Sequence, residues 1–116
     1  MLPKEYRLQK NVQFRKIYQQ GRSLASPLLV LYFLRTKGEF KPRIGFSISR
    51  RLGSAVERNR LKRRLRAAIK EYLELLPSGV EIIFIARAPL KNSSFAVIKK
   101  NMLYLLRKAA LITFGK

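Results

Sequence analysis

Apolar residues recur at three- and four-residue spacing through the centre of the chain, the pattern of an amphipathic helix. At about 100° per residue, one stripe contains Leu61, Leu65, Ala68, Ile69, Tyr72 and Leu76. Ser54 and Glu57 precede the stripe with the spacing of a capping box, in which each side chain accepts a hydrogen bond from the other residue's backbone N–H. The sequence therefore predicts a helix that begins after Ser54, runs to Leu76 and is ended by residues 77–79.

Four other segments have the alternation or the aliphatic content of β-strands. They are residues 22–25, 28–35, 43–49 and 80–87. In the third segment, Ile44, Phe46 and Ile48 fall on one face, which suits a strand with one buried side. Its other face includes Gly45 and Ser47, and such small residues leave the backbone accessible to a flat ligand such as a nucleotide strand.

Two further helices complete the predicted order of elements. Residues 12–20 follow a capping Asn11 and end at Gly21 as a C′ glycine. Ser94 caps a helix over residues 95–110, and residues 88–93 before it form a loop. The order α-β-β-β-α-β-α predicts an α+β sandwich with one four-stranded sheet and three helices. We expect residues 1–116 to form a single domain, in which the β-α-β unit around the central helix could be parallel.

The charge of the chain changes the interpretation of the central helix. The chain has 26 Lys and Arg residues against six acids, all of them Glu, and a formal net charge of +20. The helix face opposite the apolar stripe carries Asn59, Lys62, Arg63, Arg66 and Lys70, with Arg60 and Arg64 at its edge. A solvated face usually mixes signs, and like charges one turn apart destabilise a free helix. The pattern predicts a polyanionic partner, with nucleic acid first and an anionic membrane surface second.

The composition narrows the function classes further. The chain has no Cys and no His, and it has no Asp, so it lacks a thiolate metal site and the acid–base groups of a protein nuclease. We therefore expect no catalytic site on the protein itself. The longest apolar run, residues 28–34, is too short to span a bilayer, and the first ten residues lack the apolar core of a signal peptide. These features predict a cytoplasmic protein.

The aromatic residues of the first helix allow two interpretations. Phe14, Ile17 and Tyr18 share one face at i, i+3 and i+4 spacing. They could form an ordinary core stripe. Alternatively, because Arg15 and Lys16 lie beside them, the stripe could be part core and part stacking surface for bases.

The basic segment 49–66, SRRLGSAVERNRLKRRLR, resembles the signature of the bacterial ribonuclease P protein subunit. The triplet Arg58-Asn59-Arg60 is the most specific part of the match, together with the LKR that follows it. The opening RLQKNVQFRKIYQQG, the strands LVLYFL and IGFSIS, and the late IFIARAP also have counterparts in that family. The resemblance covers roughly residues 6–110.

The resemblance implies a role in which a catalytic RNA carries out the chemistry. In this family a large RNA removes the 5′ leader of precursor tRNA by metal-assisted hydrolysis, with Mg²⁺ held chiefly by the RNA. The protein binds that RNA and the leader, so the implied partners are ribonuclease P RNA and precursor tRNA, with no membrane and no small-molecule substrate. The family also implies a left-handed β-α-β crossover, against the usual rule. From charge and size alone, a ribosomal-type RNA-binding protein without leader specificity is the alternative.

Carried over position by position, the resemblance implies two surfaces. The RNA-subunit contact on the central helix would comprise Arg58, Asn59, Arg60, Lys62, Arg63 and Arg66. The leader site between the first helix and the sheet would comprise Phe14, Tyr18, Tyr32, Phe46, Ser49, Arg50, Arg51 and Arg87. Phe46 has a second possible place, since its alternation with Ile44 and Ile48 could put it in the core.

Overall fold

In the computed structural model, which describes residues 2–112, four strands form one mixed sheet. They are β1 (Arg22–Ala25), β2 (Leu29–Arg35), β3 (Arg43–Ser47) and β4 (Val80–Ala86). The strand order is β1-β2-β4-β3, and every pairing is antiparallel except the parallel pair β3–β4. The predicted four-stranded sheet and parallel β-α-β unit are confirmed. The left-handed crossover stays a prediction.

Three helices cover the two faces of this sheet. They are α1 (Asn11–Gln20), α2 (Ala55–Lys70) and α3 (Phe95–Lys108), with short 3-10 helices at Lys4–Tyr6, Arg50–Leu52, Leu73–Leu75 and Ala88–Asn92. The larger core joins α2 and α3 to one face of the sheet. A smaller cluster on the opposite face joins α1 to the sheet. The fold is therefore the predicted α+β sandwich.

The alternation of β2 shows how the sequence separates the two faces. Leu29, Leu31 and Phe33 are buried in the core on the α2–α3 face. Tyr32 and Leu34 are half-buried and pack with the α1 cluster. Because side chains alternate along a strand, the two groups cannot exchange faces without a register shift.

The central helix ends earlier than the sequence predicted. α2 stops at Lys70, not at Leu76. The backbone N–H of Tyr72 donates to the carbonyl of Ile69 at 2.8 Å, and a 3-10 turn follows. This tighter winding buries Leu73 as well as Leu76, because residues three apart lie on the same side of a 3-10 turn. The apolar stripe is thus kept although the α-helical geometry is not.

The two ends of α1 also differ from the prediction. Asn11 is the first helical residue, and Lys10 occupies the capping position. The backbone N–H of Lys10 donates to Gln13 Oε1 at 3.1 Å, so the cap comes from inside the helix. Gly21 ends the helix with φ −83°, which is not left-handed. Glycine is required there by close approach, since a Cβ would lie 2.5 Å from the carbonyl oxygen of Phe33.

β2, β3, β4 and α3 are each one or two residues shorter than predicted. β3 ends at Ser47 and α3 at Lys108, with Ala110 at φ 60° beyond the helix. The segment predicted as a loop before α3 contains the 3-10 helix Ala88–Asn92.

The N-terminal strap, residues 2–10, wraps the outer edge of β3. Leu2 is buried in the core on the α2–α3 face, whereas Leu8 is buried under α1 on the other face. Between them Arg7 forms a parallel β-bridge with Ile44, and the Leu8 N–H donates to the Ile44 carbonyl at 3.1 Å. The strap therefore covers part of an edge strand that would otherwise present unpaired backbone groups.

Candidate nucleic-acid interface

The basic face of α2 is positioned by a capping box. The Ser54 N–H donates to Glu57 Oε1 at 2.8 Å, and the Glu57 N–H donates to Ser54 Oγ at 3.2 Å. Arg58 Nε donates to the carbonyl of Gly53 at 3.3 Å, which ties the first basic side chain to the turn before the helix. On the other side of α2, Leu61 and Leu65 are buried in the core. The cap and the core together fix the helix rotation and hence the direction of its cations.

The cations of the basic face lack neighbouring carboxylates. We define the basic arc as Arg58, Asn59, Arg60, Lys62, Arg63 and Arg66, all of them exposed or half-buried. None of the four ion pairs found among residues 2–112 involves this arc. Glu57 is the one acid of α2, and Lys91 Nζ lies 3.5 Å from its carboxylate. The hydrogen bond from the Ser54 backbone, followed by the charge of Lys91, lowers the pKa of Glu57.

Arg64 lies on the same helix but has a structural contact. Its Nη2 donates to the carbonyl of Ser93 at 3.1 Å, just before α3 begins. Glu71, which follows α2, pairs with Lys99 of α3 at 2.7 Å. These contacts join α2 to α3, and they leave the basic arc uncompensated.

The cleft beside α1 is built on the opposite face of the sheet. Phe14 of α1 lies over Gly45 of β3, where a Cβ would collide with the phenyl ring. Tyr18 meets Tyr32 of β2 edge to face, with ring centroids 5.0 Å apart and planes at 84°. Three of the four aromatic residues predicted for the leader site, Phe14, Tyr18 and Tyr32, are thus brought to one face, and Gly45 lets α1 approach closely.

Tyr18 is held at the rim of this cleft. It is 39% exposed, although Ile17 beside it is fully buried. Partial burial raises the pKa of the Tyr18 hydroxyl, a hydrogen bond with the Ser47 side chain lowers it, and the nearby Tyr32 raises it. Ile17 is therefore core, and Tyr18 presents an aromatic surface to solvent, so the stripe is not core throughout. Stacking of bases on Tyr18 stays a prediction.

The register of the sheet creates an open row next to Tyr18. Tyr32, Ile83 and Gly45 lie side by side across β2, β4 and β3. The next row on the same face consists of Val30, Ile85 and Ser47, each half-exposed. α1 covers the first row and leaves the second accessible. Val30, Ile85 and Ser47 thus form an accessible patch of the sheet beside the aromatic side chains of the cleft, and we call this patch the cleft floor.

Polar and basic residues lie at the end of the cleft floor where β3 and β4 terminate. Because β3 and β4 are parallel, the residues that follow the two strands lie at the same end of the sheet. Ser49 caps the turn that follows β3, accepting from the Arg51 N–H at 3.2 Å, and Arg50 and Arg51 are exposed. Arg87 follows β4, and its Nη1 donates to the carbonyl of Ser26 at 2.9 Å.

Phe46 lies on the opposite face of the sheet from Phe14 and Tyr32, although it lines a cavity at the β3 edge together with Phe14. It pairs with Phe84 across β3 and β4, and the two rings stack with centroids 6.2 Å apart and planes at 16°. Both rings belong to the α2–α3 face. Phe46 is half-buried there, beside Lys62 and Arg66 of the basic arc. The structure places it on the core face, the second of the two places that the sequence left open.

Residues outside the predicted set also contribute to these surfaces. Gly45 permits the approach of Phe14, and the isolated small residue within an apolar strand was its signal. Arg7 joins Lys62 and Arg66 around a cavity at the β3 edge. The sequence carried no periodic signal for Arg7, because the strap has only one short 3-10 helix.

The part of the chain that the structure describes has neither a metal-binding cluster of side chains nor a membrane-spanning helix. Within residues 2–112, no three His, Cys, Asp or Glu side chains are grouped closely enough to hold a metal ion. No helix in this part of the chain is long and apolar enough to cross a membrane.

The chain is similar to known proteins over nearly its whole length. The ribonuclease P family model matches residues 2–110. The ribonuclease P protein component of Carboxydothermus hydrogenoformans is 45% identical, covering 86% of this chain and 87% of the relative. That of Geobacillus kaustophilus is 38% identical, covering 98% of this chain and 94% of the relative.

Solved structures agree with the sequence comparison. The Staphylococcus aureus RNase P protein superposes with a TM-score of 0.84 at 35% identity, covering 95% of this chain and 100% of that one. The Thermotoga maritima RNase P protein superposes with a TM-score of 0.79 at 27% identity, covering 94% and 98%. Together with the basic arc and the aromatic cleft, these matches show that the chain belongs to the ribonuclease P protein family.

Proposed function

We propose that this protein binds the catalytic RNA of ribonuclease P through the basic arc and the 5′ leader of precursor tRNA in the α1 cleft. By doing so it would assist the endonucleolytic removal of the leader. Both partners are RNAs, and we propose the cytoplasm as the compartment in which the protein meets them.

The observation that carries the leader assignment is the open row of Val30, Ile85 and Ser47 beside Tyr18. A single strand needs a flat surface for its bases and cations along its backbone. Base–aromatic stacking contributes about 1–3 kcal/mol per base and tolerates any sequence. Arg50 and Arg51 are exposed at one end of the floor, where they can follow the phosphates.

The basic arc supports a separate contact with a folded RNA. Its side chains project from one rigid helix, and none has a carboxylate partner among residues 2–112. Phosphates would relieve the repulsion between these cations and release counterions on binding. The arc and the α1 cleft lie on opposite faces of the sheet, so two RNA strands could be held at once.

The donors of this chain do not fit a protein-held catalytic metal. Among residues 2–112 the acids are scattered, and Glu57, Glu71 and Glu81 each pair with a cation. We therefore propose that Mg²⁺ is bound chiefly by the RNA, which supplies the hydrolytic chemistry. The part of the protein is to position the leader and to neutralise phosphate charge.

The test compares RNA partners in a reconstituted system. At low salt, adding the protein to a bacterial ribonuclease P RNA should increase the rate of leader removal from precursor tRNA. Its affinity should be greater for precursor than for mature tRNA in the presence of that RNA. A ribosomal-type binder would show equal affinity for the two tRNAs, and that result, or no change in cleavage, would contradict the proposal.

A further inference from the structure

Helix α3 carries a second apolar stripe on its outer side. The inner stripe is fully buried in the core and consists of Ile98, Met102, Leu105 and Leu106. On the outer side Val97 is 43% exposed, Tyr104 is 49% exposed and Leu103 is half-buried. A helix with one packed face usually carries polar residues on the opposite face. Apolar residues that gather on an exposed face mark an interaction surface.

Leu103 and Tyr104 line an open groove on this outer side. The groove has a volume of about 570 Å³, and its other lining residues are Lys100, Arg107 and Lys108. Lys100 lies about one turn before Leu103 and Tyr104, and Arg107 lies about one turn after them. The Lys108 ammonium donates to the Tyr104 hydroxyl at 3.2 Å. The groove therefore combines an apolar centre with a rim of cations.

The cations of this rim are not matched by nearby acids. Among residues 2–112, no carboxylate lines the groove, and α3 itself contains no acid. Neither Lys100 nor Lys108 takes part in the ion pairs found in this part of the chain. The neighbouring Lys99 pairs with Glu71, which follows α2, at 2.7 Å. A partner that brings carboxylates would therefore meet Lys100 and Lys108 without competition from acids of α3.

The composition of the groove selects among three classes of occupant. A second copy would bring the same cations to a symmetric interface, and each copy has a formal net charge of +20. In single-stranded RNA successive bases stack on aromatic rings, but this face offers one ring, Tyr104, beside aliphatic Leu103 and Val97. The α1 cleft, by contrast, brings Tyr18 and Tyr32 together. A protein segment fits best, because protein interfaces combine an apolar centre that contains Tyr with a polar rim.

We propose that the outer groove of α3 docks an acidic, amphipathic segment of another protein. The apolar side chains of the segment pack against Leu103 and Tyr104, and its carboxylates pair with Lys100 and Lys108. No residue of the groove belongs to the basic arc or to the α1 cleft. The segment can therefore bind while both RNAs are in place, and the inference goes beyond the proposed function without resting on it.

The first test uses three fluorescein-labelled probes and the free protein. One peptide carries Glu and Leu at helical spacing, a second has the same Glu residues with Ser in place of Leu, and the third probe is oligouridylate of equal charge. The Leu peptide should bind more tightly than the Ser peptide, by about tenfold for each Leu side chain that becomes buried. Equal affinities of the two peptides would mean attraction by charge alone and would overturn the proposal.

Three variants with exposed substitution sites locate the contact. Tyr104→Ala should weaken binding of the Leu peptide about fivefold or more, the usual effect of truncating an anchoring aromatic side chain. Lys100→Gln should weaken it about 1.5- to 5-fold, since it removes one exposed ion pair. Lys37→Gln is the matched control, because it removes an exposed cation from the loop between β2 and β3 and should leave the affinity unchanged. Thermal melting checks that all three variants fold, and equal losses in the two Lys variants would overturn the proposal.

Two further results would assign the groove to a different occupant and would also overturn the proposal. One is a loss of oligouridylate binding in Tyr104→Ala with no loss of Leu-peptide binding, which would indicate an RNA site. The other is dimerisation of the wild type that is lost in Tyr104→Ala, as measured by sedimentation equilibrium. Failure of the proposed function is distinguishable, because the peptide assay contains no ribonuclease P RNA. A protein that does not bind that RNA would contradict the proposed function alone.

Discussion

Replacing Tyr18 with alanine tests the leader cleft most selectively. Tyr18 is 39% exposed at the rim of the α1 cleft. Its ring contacts the Tyr32 ring edge to face, with the two ring centroids 5.0 Å apart. The substitution removes one stacking surface, which is worth about 1–3 kcal/mol. Since about 1.4 kcal/mol corresponds to tenfold in affinity, precursor tRNA should bind the reconstituted enzyme about 5- to 150-fold more weakly.

The assay is equilibrium binding of precursor and mature tRNA to the complex of protein and RNA subunit. Only the precursor should lose affinity, because the mature tRNA has no leader to stack. Tyr18→Phe keeps the ring and removes the hydroxyl near Ser47, so its loss should be much smaller. Tyr104→Ala is the matched control, since Tyr104 is 49% exposed on α3. Equal losses for both tRNAs, or an equal loss in the Tyr104 variant, would refute the stacking argument.

Three further predictions concern the cap, the close approach of α1 and the electrostatics of the arc. Ser54→Ala should lower the free energy of unfolding by about 1 kcal/mol, as measured by urea titration. Glu57 has a lowered pKa in the folded protein, so its stabilising contribution is complete above the ordinary carboxyl pKa and is lost as pH falls through the lowered value. The acid-side loss of stability should be smaller in Glu57→Gln, which has no carboxylate to protonate, whereas Ser54→Ala keeps the backbone N–H that is the main cause of the lowered pKa. Gly45→Ala should displace Phe14 and weaken leader binding without reducing RNA-subunit affinity. A general loss of folded protein would lower both apparent affinities, so the folded fraction of the variant is measured by thermal melting. Arg63→Gln should reduce the salt slope of RNA-subunit binding by about 0.7–0.9 and leave precursor-over-mature discrimination unchanged; a changed discrimination ratio would contradict the separation of the surfaces.

Much of the scaffold could be predicted from local patterns. The capping box at Ser54 was readable because its two partners are only three residues apart. The stripe from Leu61 to Ile69 was readable because helical periodicity reports directly which side is buried. The side chains of β2 likewise alternate between buried and half-buried positions, as the two-residue period of a strand requires.

The errors arose where tertiary packing overrides local preference. The stripe continues through Tyr72 and Leu76, and periodicity alone could not show that the backbone tightens after Lys70. Phe46 alternates correctly with its neighbours, but the face on which leader residues gather is set by where α1 docks. The strap was the hardest feature to predict from the sequence, because Leu2 and Leu8 are buried on opposite faces of the sheet with no repeating pattern between them.

The absence of cysteine from the sequence makes site-directed crosslinking the most direct test of the two-surface account. Ser47→Cys would carry a photoreactive group on the cleft floor, and Arg63→Cys would carry the same group on the basic arc. In the complex with ribonuclease P RNA and precursor tRNA, the Ser47 probe should crosslink to the 5′ leader and the Arg63 probe to the RNA subunit. Crosslinks from both positions to the same strand, or a leader attached to the Arg63 probe, would contradict the account.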